Sequence, residues 1–142
     1  MKKITAAVVI INAIGSILGC HGTGKPNGQG FDFPKGLVEE NETDIDAALR
    51  ELREETDFTT CKDSLIDCGV HPHNKEKDIH IFLLKVKDFP DIKYLKCNSF
   101  FEVNGKKFPE VDYFEIITKD ERHKFNKVLQ NKFELIDKAN EA

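Results

Sequence analysis

The stretch Thr43–Thr56 presents two faces with opposite requirements, and any fold adopted by the chain must satisfy both. Ile45, Ala48, Leu49 and Leu52 recur at helical spacing and form an apolar stripe that needs a hydrophobic partner. Thr43 can cap the start, with Asp46 three residues on as its reciprocal partner. Glu51, Glu54 and Glu55 stand at i, i+3 and i+4, so they project roughly the same way from one helix. Carboxylates this close repel one another unless they meet water or cations. Hard oxygen donors at this density suit Mg²⁺ or Mn²⁺, ions that also bridge to phosphates. A solvated helix face on which Arg50 and Arg53 make weak ion pairs would use the same residues. The cluster alone leaves both readings open.

The remaining composition narrows the class. At 142 residues the chain has the length of one domain, able to bury a core without disulfide staples. Its net charge of -4 argues against a protein that coats a nucleic-acid backbone, while leaving room for a small anionic substrate met by local Lys and Arg. Cys20, Cys61, Cys68 and Cys97 form no Cys-x-x-Cys pair, so free thiols in a reducing compartment, the cytoplasm, are expected. Met1-Lys2-Lys3, the apolar run from Ile4 and Ile17-Leu18-Gly19-Cys20 together look like a lipoprotein export signal. Asn12 and Gly15-Ser16 interrupt that run. It is expected instead to form two strands, Ile4–Ile11 and Ser16–Cys20, around a turn, and it is too short and broken for a membrane span.

Downstream, Gly22, Gly24, Pro26, Gly28 and Gly30 mark a loop, and Phe31-Asp32-Phe33 a short strand ended by Pro34-Lys35-Gly36. Leu65–Val70 and Ile79–Val86 read as strands. Ser99–Val103 and Lys107-Phe108 flank an Asn104-Gly105 turn, a favoured hairpin pair. Asp112–Ile117 is a further strand. Lys119–Lys138 is expected to be one helix, with Phe125, Val128, Leu129, Phe133 and Ile136 on one side. Strands mixed with two principal helices predict an α+β fold, an α/β/α sandwich with a mixed β-sheet between helices, in one domain spanning 1–142.

The residues around the helix decide what its acidic face is. Gly36 is followed after five residues by Glu42, and after seven more by Arg50-Glu51-Leu52, Arg53, Glu54-Glu55, Thr56, Asp57 and Phe58. This spacing resembles the signature of the Nudix hydrolase superfamily, MutT-like proteins included, and Phe31-Asp32-Phe33-Pro34-Lys35-Gly36 resembles the segment that leads into it. His21-Gly22-Thr23-Gly24, Lys77-Asp78-Ile79-His80 and Phe108-Pro109-Glu110-Val111-Asp112 look like a small bacterial and tailed-phage subgroup. One position departs from the pattern: Asp57 stands where the signature has its second glycine.

The resemblance implies a Nudix fold and hydrolysis of a diphosphate linkage by metal-activated water. Glu51, Glu54 and Glu55, with the Gly36 carbonyl, would hold Mg²⁺ or Mn²⁺. Arg50 would hold Glu42 and orient the cluster. Lys35 would contact phosphate, and Phe31 could support the loop or stack near a base. Glu54 or Glu51 could serve as base; Glu110 is the preferred distal candidate, with Asp112 behind it. The substrates implied are nucleoside diphosphate derivatives: ADP-ribose, diadenosine polyphosphates or FAD. An RNA 5′ end or a nucleoside triphosphate is the enzymatic alternative, and a nucleotide-binding sensor the non-enzymatic one. A homodimer is a family-level expectation. His71, His73 and His80 lack a compact Cys/His framework and are expected to be structural or substrate-lining rather than a zinc site.

Overall fold

A computed structural model describes residues 2–142; Met1, which opens the export-like string, lies outside the described residues. The elements run β1 (Lys3–Ile11), β2 (Ile17–Gly22), β3 (Phe31–Asp32), β4 (Lys35–Leu37), α1 (Asp44–Thr56), β5 (Leu65–Pro72), β6 (Lys77–Lys85), β7 (Phe100–Val103), β8 (Lys106–Pro109), β9 (Val111–Ile117) and α2 (Phe133–Glu141). Short 3-10 turns cover Lys62–Ser64, Ile92–Tyr94, Lys119–Lys124 and Lys127–Lys132.

β1 organises the sheet. It pairs parallel with β6 along its whole length and antiparallel with β4 at its start, and it meets β2 at Ile11↔Ile17. Beyond β6 lies β5, while β2 carries β3 and β9. β1 is apolar at successive positions because both of its faces are covered. Ala6, Val8 and Ile10 join Leu18, Phe82 and Leu84 beneath Ala47, Ala48 and Leu52 of α1. Ala7, Val9 and Ile11 turn the other way, joining Ile79, Ile81 and Leu83 beneath Phe133 and Ile136 of α2. The result is an α+β sandwich with a mixed sheet between helices. The segment that resembled an export signal supplies two of its central strands. Among the described residues, no helix is long and apolar enough to cross a membrane.

The expected single helix over Lys119–Lys138 is broken. Phe125 and Asn126 are extended, at ψ 150° and 143°. The Asn126 N–H donates to Phe31 O at 2.8 Å, and Phe125 bridges Phe31 in parallel register. A sheet-edge hydrogen bond outcompetes helix continuation there. The apolar residues Phe125, Leu129, Phe133 and Ile136 still share one core, although they now come from a bend, a 3-10 turn and α2 rather than from one helix.

Candidate active site

α1 starts as its sequence suggests: the Thr43 side chain accepts from the Asp46 N–H at 3.2 Å. Its far half carries the acidic residues, and one arginine arranges them. Arg50 Nε and Nη2 donate to the two Glu42 oxygens at 2.8 and 3.0 Å, a two-pronged pairing that fixes the guanidinium plane. Nη1 donates to Glu51 Oε1 at 2.7 Å and reaches Glu54 Oε2 at 3.4 Å, and Nη2 also donates to Leu37 O. The Arg50 hydrogen bonds hold the Glu42 carboxyl below its usual pKa.

Glu51 and Glu55 are both buried, one turn apart on the same face of α1. Two carboxylates buried together repel, which favours a proton on one of them. Burial raises the Glu55 pKa to about 10, helped by Glu51 beside it and Glu110 nearby, with Lys35 opposing. Burial likewise raises Glu51, against the pull of Glu55 and Arg50. β4 brings Gly36 against this couple: a Cβ there would collide with the Glu51 carboxylate and push it from its place beside Arg50. Glu54 stays partly exposed beside Arg50 and does not join the couple. Among the described residues, no three His, Cys, Asp or Glu side chains converge as a formed metal cage. The couple nevertheless suits a divalent cation. It offers hard oxygen donors in a buried place that protein charges alone do not neutralise.

A cavity of about 210 Å³ opens beside Glu55, lined also by Lys25, Asp32, Lys35, Glu110 and Asn126. Lys35 pairs with Asp32 at 3.0 Å. Burial alone would lower the Lys35 pKa, but Asp32 and the more distant Glu55 and Glu51 outweigh it and raise it. Lys35, Glu55 and Glu110 therefore face one space although they come from β4, α1 and the β8–β9 junction.

Two expected residues belong elsewhere. Phe31 is fully buried, edge-on to His21 and Tyr113 at 5.3 and 5.6 Å, so it offers no face to a base. Asp112 is committed to His21 Nδ1 at 2.6 Å, which removes it as a free base behind Glu110. His21 Nε2 donates to Pro26 O at 2.9 Å, and Tyr113, stacked on the His21 ring at 4.2 Å, accepts from Gly28 N. These bonds pin the glycine-rich loop that delivers Lys25. His80 bridges Asp44 and Asp67, each at 2.7 Å, and His71 faces Cys68 O. Sequence reasoning missed Lys25, Asp32 and Asn126 at the cavity. Only the loop glycines hinted that this segment is shaped for a close approach.

Comparison with known proteins agrees with this architecture. The NUDIX domain profile matches residues 1–93. No curated protein matches the chain. Among solved structures, an Ap4A hydrolase binary complex from C. elegans is similar at a TM-score of 0.65 and 18% identity, covering 96% of each chain. A MutT protein from Methanosarcina mazei Go1 gives 0.64 and 17%, covering 99% of this chain and 96% of that one. A bifunctional NMN adenylyltransferase/ADP ribose pyrophosphatase from Francisella tularensis, complexed with AMP and a Mn ion, gives 0.63 and 16%; the match covers 98% of this chain and 41% of that longer one. At such identities these neighbours bear on the fold alone. The profile spans most of the chain and contains the whole run from Gly36 to Asp57, with its arginine-held carboxylates, and by that match the chain belongs to the NUDIX domain family of pyrophosphohydrolases.

Proposed function

We propose that the chain hydrolyses a diphosphate linkage in a nucleoside diphosphate derivative, with ADP-ribose, diadenosine polyphosphates and FAD as the favoured substrates. The observation that carries this is the Glu51–Glu55 couple, held by Arg50 against Gly36 at the edge of a cavity that also receives Lys35 and Glu110. Glu51, Glu55, Glu54 and the Gly36 carbonyl would hold Mg²⁺ or Mn²⁺. Bound there, the cation would supply charge neutralisation for the phosphate oxygens and make water a better nucleophile at neutral pH.

The chain's own residues do the rest. Lys35 and Lys25 bring ammonium groups to the diphosphate, charge that is worth more in a recessed site than in open water. Arg50 keeps Glu51 from turning away. Glu110, which lines the same cavity as Glu55, would accept a proton from attacking water.

A cavity of about 210 Å³ suits a diphosphate better than a whole dinucleotide. A shallower groove of about 480 Å³, lined by Gln29, His123, Lys127 and Gln130, adjoins it through the shared residues Gly30 and Asn126. That continuation favours a substrate with a group on each side of the diphosphate over a nucleoside triphosphate. The phage-like strings around His21 and Glu110 tilt the same way, towards adenosine dinucleotides and ADP-ribose. The free thiols Cys20, Cys61, Cys68 and Cys97 suit a reducing compartment such as the cytoplasm.

The test is product release from ADP-ribose, diadenosine polyphosphates, FAD, dGTP and 5′-triphosphorylated RNA, with and without Mg²⁺ or Mn²⁺. Metal-dependent formation of a nucleoside monophosphate is expected, with a loss of at least about 100-fold in Glu54→Gln. Binding without turnover would turn the site into a nucleotide sensor and sink the hydrolase. Preferential attack on the triphosphates would redirect the substrate.

A further inference from the structure

α1 ends on an aspartate where the family run carries glycine, and that aspartate is in use. Asp57 adopts φ 62°, ψ 10°, the left-handed conformation in which glycine is the least strained residue, and its N–H caps Arg53 O at 2.9 Å. Its Oδ1 accepts from Asn98 Nδ2 at 3.1 Å. The backbone next to that contact completes the helix end, where carbonyls lack partners of their own. Asn98 N donates to Glu54 O at 2.6 Å and Lys96 N to Thr56 O at 3.0 Å.

This segment is one foot of the β7–β8 hairpin, a separate two-stranded sheet. The other foot is Glu110, whose N–H donates to Ser99 O at 2.9 Å and whose carbonyl accepts from Thr23 N at 3.2 Å. A hairpin of two strands is marginal by itself. This one leaves Phe100, Phe101, Val103 and Phe108 exposed, so its placement depends on its feet.

We infer that Asp57 is a positioning residue. Its carboxylate holds Asn98, docks the hairpin foot on the carbonyl end of α1, and thereby sets Glu110 at the cavity. The inference rests on the hydrolase reading above, and it predicts that restoring the family glycine harms the enzyme.

The experiment compares Asp57→Gly, Asp57→Asn, Asn98→Ala and the Asp57→Gly/Asn98→Ala double variant in the full chain. Asp57→Gly relieves the left-handed residue, so Tm is expected to stay or rise. At the same time kcat should fall about tenfold with KM little changed, because only the approach to the reacting atoms is disturbed. Asp57→Asn keeps an acceptor oxygen and tolerates the conformation, and should recover most of the loss. Asn98→Ala should match Asp57→Gly, and the double variant should add nothing further. Amide exchange at Asn98 and Glu110 in the nucleotide-free protein should quicken about tenfold in Asp57→Gly. That measurement needs no turnover: if the wild type hydrolyses nothing, the hydrolase reading fails while exchange still decides the role of Asp57. Wild-type kcat and exchange in Asp57→Gly would overturn the inference. So would a fall in Tm that accounts for the loss of kcat, which would leave Asp57 a helix cap alone.

Discussion

The buried face of α1 carries two kinds of side chain, apolar and acidic, buried to similar depth yet held in opposite ways. Its apolar members Ala47, Ala48 and Leu52 lie fully buried on the alternating side chains of β1 and β6. Burial there is favourable in itself, because apolar surface leaves water. Its acidic members Glu51 and Glu55 are 8% and 6% exposed, and burial there is unfavourable, as the raised Glu55 pKa records. One helix face thus combines side chains whose burial stabilises the fold with carboxyl groups whose burial costs stability at the edge of the cavity.

The largest effect should come from breaking the apolar packing. Leu52→Ala removes a fully buried side chain and should cost about 2–5 kcal/mol in urea unfolding, with activity falling only as folded protein is lost. The acidic members should respond in the reverse manner. Arg50→Lys keeps the charge but loses the fork that spans Glu42 and Glu51, and should lower metal-supported activity about 10–100-fold with little change in the unfolding midpoint. Equal stability losses in the two variants would erase the distinction between the apolar and acidic residues of this face.

A smaller effect belongs to the helix start, where His80 ties Asp44 to Asp67. Burial alone would lower the His80 pKa, but the two carboxylates outweigh it and raise it. A raised histidine contributes stability that is complete below its ordinary value of 6.5 and is lost as pH rises through the folded value. His80→Gln should therefore cost under about 1 kcal/mol, with a larger gap to wild type at pH 6 than at pH 8.5. A gap independent of pH would show that the bridge is not charged.

What could be read beforehand follows from which interactions are local. The continuous apolar run of β1, ended at Asn12, and the helical period of α1 are properties of neighbouring residues, so both elements were legible. So were the relative positions of Arg50, Glu51, Glu54 and Glu55, because a helix converts sequence distance directly into position; Gly36 and Glu42, outside the helix, were legible only through the family spacing. The break at Phe125–Asn126 was not legible, since it is caused by Phe31, far away in sequence. The same holds for Asp112, whose partner His21 lies 91 positions earlier. Phe31 shows the converse: an aromatic residue beside a functional loop carries no local mark that separates packing from stacking. Lys25, Asp32 and Asn126 reach the cavity only once the glycine loop is pinned and the strands are paired.

The Glu51–Glu55 couple gives the most direct test. Without a cation the folded protein keeps a proton that the unfolded chain releases above the ordinary value of 4.5, so the stability of the metal-free protein should fall as pH rises from there towards 10. A cation that binds the couple must displace that proton. The measurement is calorimetric titration of Mn²⁺ into the protein at pH 7.5, in two buffers of different ionisation enthalpy, for wild type and Glu55→Gln. Release of about one proton per ion by the wild type is expected, with weaker binding and no release in the variant. Binding by wild type without proton release, or equal binding by Glu55→Gln, would contradict a cation site built on this couple.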